Sequence, residues 1–124
     1  MLSDTMTKAL NEHMNYEMYS AYHYAAMAAW FEDKGLFGMA NWMYIQTQEE
    51  MSHAMKFFRY VIDSDARVEL LAIQKPPQDW ENPRQAFEDV LAHERIVTKK
   101  IHELVDLSLK ENDHATHNFL QWFV

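Results

Sequence analysis

Glu50 and His53 stand three residues apart, on the same face of any helix that contains them. Outward from Glu50, in steps of three and four, that face reads Met39, Met43, Gln46, Glu50, His53, Phe57 and Tyr60/Val61. The stripe is mostly apolar and so belongs against a core, yet a carboxylate in its middle is costly unless a cation meets it. Whatever fold the chain adopts must compensate that charge.

Two other segments pose the same problem. A first helix over about residues 4–33 has Ser3 or Asp4 as its N-cap. Its inward stripe is Leu10, His13/Met14, Glu17, Ser20/Ala21, Tyr24, Met27/Ala28 and Phe31. Lys34-Gly35 ends it, Gly35 being suited to the left-handed position after a helix. The Glu50 helix follows over about 36–64, and so short a turn makes the two antiparallel neighbours. A third helix over about 83–110 opens with Asn82 as cap and Pro83 in the first turn. Its stripe is Phe87, Val90/Leu91, Glu94, Val97/Thr98, Ile101 and Leu104/Val105, again with one acid near the centre. Asn112-Asp113 makes a turn into a fourth helical stretch over about 113–124.

Between helices two and three lies an irregular segment, about residues 65–82, containing Pro76-Pro77. Its ~18 residues can stretch ~60 Å, whereas a ~28-residue helix is only ~42 Å long. The segment can therefore run the full length of the bundle and start helix three at the opposite end. A patch of Val68, Leu70, Leu71 and Ile73 is expected to pin it down; the alternative, a strand over 67–73, has no evident partner. The predicted fold is all-α: one domain, residues 1–124, built as a four-helix bundle with a long crossover between helices two and three.

Measured along the helix axes, Glu17 lies ~18 Å from the start of helix one and Glu50 ~21 Å from either end of helix two. With the crossover placed as above, Glu94 lies ~25 Å above the same floor. Glu17, Glu50, Glu94 and His53 are thus predicted to converge in one core layer, and no Lys or Arg occupies the three stripes. Protons or a metal must supply the positive charge. Oxygen-rich ligands with one imidazole and no sulfur suit iron or manganese and tolerate zinc; two divalent ions would call for a fourth carboxylate.

Each signal taken singly has an ordinary explanation: most Glu-x-x-His pairs are solvated, and a lone Glu in an apolar stripe snorkels at its edge. The weight comes from three acids at matching heights. Tyr24 either hydrogen-bonds a ligand, passes an electron or is a core tyrosine. Glu49 points away from Glu50, toward solvent. His13, His93, His102, His114 and His117 form no second set and are read as surface or packing residues.

Composition narrows the function further. The net charge of −8 argues against nucleic acid and suits a protein that attracts cations. No run of ~18 apolar residues spans a membrane, and the N-terminus lacks the features of a signal peptide. The absence of cysteine fits a reducing cytoplasm. Only two glycines and three prolines occur, as in a chain made of long helices.

Five blocks carry a family resemblance: NYEMYSAYHYAAMAAWF, NWMYIQTQEEMSHAMKFF, KPPQDWENP, AHERIVTKKIHEL and DHATHNFLQWFV. Together they resemble the prokaryotic non-haem ferritins, the archaeal and thermophile type especially, over essentially the whole chain. Inward Glu residues and Glu-x-x-His pairs on bundle helices are the pattern of ferritin-like di-iron proteins. The resemblance implies a ferroxidase: an iron-storage protein that oxidises Fe(II) with O₂ or H₂O₂ and holds the ferric product inside a cytoplasmic homo-oligomer, typically of 24 chains. It implies that Glu17, Glu50 and His53 hold a first iron, that Glu50 bridges, and that Glu94 holds a second. Glu49 would serve a third iron site, with Tyr24 beside the centre. Met51 stands where bacterioferritins carry a haem-binding methionine. Non-haem members carry Met there too, and the crossover resembles theirs, so no haem is expected.

The pattern departs from the family at the C-terminus, where members continue through a complete fourth helix with further acids. This reading expects a fourth helix cut short, fewer donors for the second iron and an apolar stripe left open. Two other functions compete with iron storage. One is a peroxide-reducing rubrerythrin-like di-iron enzyme, against which the missing Cys-x-x-Cys pattern speaks. The other is a truncated bundle with impaired catalysis.

Overall fold

The computed structural model describes residues 1–124 as four helices without a strand: α1 (Asp4–Asp33), α2 (Phe37–Asp63), α3 (Pro83–Lys110) and α4 (His114–Leu120). Leu36 is the N-cap of α2 and Ser64 its C-cap, one residue inside the predicted limits at each end. The last helix is shorter than predicted. Asp113 caps it by accepting from the Thr116 amide, α-helical bonding stops at Leu120, and Gln121–Phe123 form a 3-10 turn.

Local chemistry accounts for the helix ends. The Ser3 hydroxyl accepts from the Met6 amide at 3.0 Å, and Asn82 accepts from Gln85 at 2.9 Å. Helices α1, α2 and α3 finish in the same reverse turn: the Leu36 amide reaches the Phe31 carbonyl, Ala66 that of Val61, and Asp113 that of Ser108. Each turn needs one left-handed residue, supplied by Gly35 (φ 73°), Asp65 (φ 58°) and Asn112 (φ 55°). Only Gly35 adopts that conformation without steric cost.

The crossover is neither a strand nor an apolar strap. Leu70, Leu71 and Ile73 stay exposed, and of the predicted patch only Val68 packs against the core. The pins are two asparagines one turn apart on α1. Asn11 donates to the Arg67 carbonyl (2.9 Å) and accepts from the Glu69 amide (2.8 Å). Asn15 donates to the Glu69 carbonyl (2.8 Å) and accepts from the Leu71 amide (2.9 Å). Carboxamides spaced by a helical turn thus stand in for the missing neighbouring strand, because each carries a donor and an acceptor like a peptide group. At the far end Trp80 is buried and donates to Asp89 at 2.9 Å, which seats the loop before α3 begins.

Two apolar clusters fill the interior. The upper one joins Tyr24, Met27, Phe31, Met43, Trp80 and Val90; the lower one joins Leu10, Met14, Phe57, Val61, Ile101 and Leu120. Buried polar residues (Glu17, Glu50, His13, Ser20 and His93) belong to neither cluster. α4 packs on α3 and reaches the lower cluster through Leu120. On the upper half of α2 and α3, Met39, Trp42, Phe87 and Leu91 remain exposed.

Removing the carboxamide in Asn15→Ala leaves the Glu69 carbonyl and Leu71 amide unpaired and should cost about 1–3 kcal/mol in urea denaturation. Faster hydrogen exchange at the Leu71 amide should accompany it. Asp65→Gly should instead stabilise the chain, by about 0.5–1 kcal/mol, because it removes left-handed strain.

Candidate metal centre

Glu17 lies at mid-length of α1 and Glu50 and His53 on the facing side of α2, so two long antiparallel helices bring them together. One ligand atom from each of the three lies within 4.8 Å of the others. His53 Nδ1 is 3.4 Å from Glu50 Oε2 and 3.7 Å from Glu17 Oε2. Both of those carboxylate oxygens are buried without a hydrogen-bond partner. Two orphaned oxygens and an imidazole nitrogen this close together are a donor set that could hold a divalent cation.

The histidine is held from the other side. Trp122 and Phe123, in the terminal turn, meet its ring edge-on at 5.5 and 5.9 Å. Lys56 sits over the Trp122 ring at 4.0 Å. The sequence carries no periodic signal for this contact, which joins segments about seventy residues apart.

Glu94 does not join the three ligand atoms. Its Oε1 accepts from the Tyr24 hydroxyl at 2.5 Å, which holds the carboxylate on the α1–α3 side of the layer. Within the predicted layer, Glu17, Glu50 and His53 therefore form a close trio, and Glu94 stands outside it, held by a charge-assisted hydrogen bond. Glu49 is exposed on α2, away from the trio.

Two histidines taken as surface or packing residues prove to be buried members of the polar layer. His13 Nε2 lies 2.9 Å from Glu17 Oε1. His93 Nε2 lies 2.7 Å from Ser20 Oγ, which itself donates to the Tyr16 carbonyl, so His93 must be the donor in that pair. Their positions on the inward stripe one turn from Glu17 and beside Glu94 are the signal that sequence reading passed over.

Charge in the layer is compensated by protons in the absence of metal. Burial pushes Glu17 up, but hydrogen bonding to His13 and His53, with Glu50 beside it, outweighs that and holds it well below the usual carboxylate range. Burial and the adjacent Glu17 carboxylate raise Glu50 to about 8, against the pull of His53. Glu17 and Glu50 in turn raise His53 to about 10, despite its partial burial. Burial and its bond to Glu94 lift the Tyr24 hydroxyl well above its usual range.

An all-α bundle with carboxylates and an imidazole converging between antiparallel helices is the architecture of the carboxylate-bridged metal proteins. Comparison with known proteins is specific. Residues 7–124 match the family described as Ferritin-like domain, and the chain belongs to that family. It is 36% identical over its full length to a probable bacterial non-heme ferritin-like protein of Haemophilus influenzae, of which it covers 75%. It is 40% identical to a bacterial non-heme ferritin of Bacteroides fragilis, covering 78%. Its fold matches an open pore ferritin from the archaeon Archaeoglobus fulgidus with a TM-score of 0.99 and 51% identity, covering all of this chain and 76% of that one. A Chlorobium tepidum ferritin matches with a TM-score of 0.97 at 34% identity, again over the whole chain and 76% of the other. The chain thus spans about three quarters of the length of these relatives. Family and fold together support a role in iron storage. No helix is long and apolar enough to cross a membrane.

The protonation pattern makes a pH prediction for the metal-free protein. Glu50 and His53 titrate higher folded than unfolded, so their stabilisation is complete below their ordinary values of 4.5 and 6.5. It is lost as pH rises through about 8 for Glu50 and about 10 for His53. Glu17 acts oppositely: its contribution is present above 4.5 and lost as pH falls below it. The melting temperature should therefore decline from pH 6 to pH 10, and added Zn²⁺ should raise it most at the alkaline end, releasing protons that a calorimeter can count.

Proposed function

We propose that the chain is a ferroxidase: it binds Fe(II) as substrate at the Glu17–Glu50–His53 trio and oxidises it for storage. The observation that carries this reading is the pair of buried, unpartnered carboxylate oxygens facing His53 Nδ1. Burying two carboxylates side by side is costly, and the protons that offset the cost in the metal-free chain hold places that a cation can take.

In this reading Glu17 and His53 hold one Fe(II), Glu50 bridges, and Glu94 meets a second ion on its far side. Tyr24 positions the Glu94 carboxylate through the bond already described. Two Fe(II) ions give one electron each, and O₂ takes both with two protons to become hydrogen peroxide. The protein supplies proximity and matched charge, and the iron supplies the electrons. Glu49, exposed on α2 immediately before Glu50, is assigned to a neighbouring third site. Storage requires an enclosed volume, so the chain is assigned to a homo-oligomeric cage, of 24 subunits and in the cytoplasm as the resemblance to prokaryotic non-haem ferritins implies. The exposed apolar residues of α2 and the crossover, among them Met51, Leu70 and Leu71, support association with further copies.

The direct test adds Fe(II) anaerobically to the metal-free chain and then admits O₂ while oxygen uptake and absorbance are followed. About two irons should bind per chain, with about one O₂ consumed per two irons. Binding of one iron or none, oxidised no faster than in buffer, overturns the reading. Glu50→Ala should abolish rapid oxidation and, by removing a buried unpaired carboxyl group, leave the metal-free chain at least as stable as the original.

A further inference from the structure

His13 is the one group that hydrogen-bonds Glu17, and it does so at Oε1, while His53 lies beside Oε2. The ring is buried at 4% exposure and lies against Phe57 at 4.8 Å. Its Nε2 approaches Glu17 Oε1 to 2.9 Å, whereas Oε2 of the same carboxylate is the atom left without a partner and turned toward His53. A carboxylate oxygen only accepts, so His13 Nε2 must carry the proton whatever the charge of the ring.

We propose that His13 is a positioning residue that makes Glu17 a one-oxygen metal ligand. By occupying Oε1 it fixes the carboxylate rotation, presents Oε2 to the ion and prevents Glu17 from closing around the metal with both oxygens. A coordination position on that ion then stays open for the oxidant. This inference rests on the trio being a metal site. Its physical basis is general: groups behind a ligand set the ligand's orientation, and their loss costs about 10–100-fold in metal affinity.

The site is also sealed by this ring. A groove of about 260 Å³ between α1 and α3, lined by Glu12, Tyr16, Lys100 and Glu103, reaches His13. A small replacement would let water enter and take over the hydrogen bond. Leucine fills the space without offering a donor, and glutamine keeps a donor, so His13→Leu and His13→Gln separate packing from positioning.

The experiment titrates Co(II) into the metal-free protein and reads both affinity and the visible ligand-field band. The His13→Leu variant should bind Co(II) about 10–100-fold more weakly, with a weaker band as a second Glu17 oxygen joins the ion; His13→Gln should recover most of both. A wild-type chain that binds no Co(II) overturns the metal site and this inference with it. Binding by the wild type with an unchanged His13→Leu variant overturns this inference alone, as does a His13→Gln variant no better than His13→Leu, which assigns the loss to packing on Phe57. Should His13→Leu fail to fold, imidazole ¹⁵N spectra of the unaltered protein decide. The Nε2 proton of His13 should persist on Zn²⁺ loading, and its replacement by a metal-shifted nitrogen overturns the assignment.

Discussion

Two carboxylates desolvated at the centre of the bundle are the constraint on which the rest of the structure depends. Glu17 and Glu50 are nearly inaccessible to solvent, and no lysine or arginine approaches them. His13 donates to one oxygen of Glu17, protonated His53 lies beside the other, and burial with Glu17 alongside raises Glu50 to about 8. The interior is divided accordingly: an apolar cluster above, an apolar cluster below, and a polar layer between them. Each cluster contributes the burial that stabilises helices, while the layer between them holds the charged and hydrogen-bonding side chains.

Holding that layer in register requires α3 to begin at the correct end of the bundle. The long crossover accomplishes this with few apolar contacts. Asn11 and Asn15 bind its backbone along α1, and Trp80, bonded to Asp89, anchors its far end. The same stretch of α1 thus serves two faces: Asn11 and Asn15 face the loop, and His13 and Glu17, interleaved with them, face the centre. A shift of the loop along α1 would break all four carboxamide hydrogen bonds together, which ties the height of Glu94 to the side chains of α1.

Much of this was legible in the sequence. The 3.6-residue stripes, the Ser3 and Asn82 caps and the turn at Gly35 identify the long helices because each is a local property of the backbone and its nearest neighbours. The Glu-x-x-His spacing on α2 places Glu50 and His53 together by helix geometry alone. The acid at the middle of each stripe pointed to a charged layer for the same reason.

Other features depend on which surfaces meet. Asparagine carboxamides hold the crossover, a role that hydropathy assigned to Leu70, Leu71 and Ile73, which remain in solvent. The bond from Tyr24 turns Glu94 aside from the trio, and Trp122 with Phe123 closes over His53, from parts of the chain remote in sequence. His13 could be placed on the inward stripe by counting, but not recognised as the donor that orients Glu17. Sequence by itself determined the helices, much of their inward faces and the acids upon them, since periodicity is a one-dimensional property; Met39, Phe87 and Leu91, counted on those stripes, lie exposed. Only tertiary structure decided that Oε1 of Glu17 meets His13 while Oε2 is left unpartnered beside His53, and that Glu94 meets Tyr24, because this depends on where neighbouring side chains come within about 3 Å.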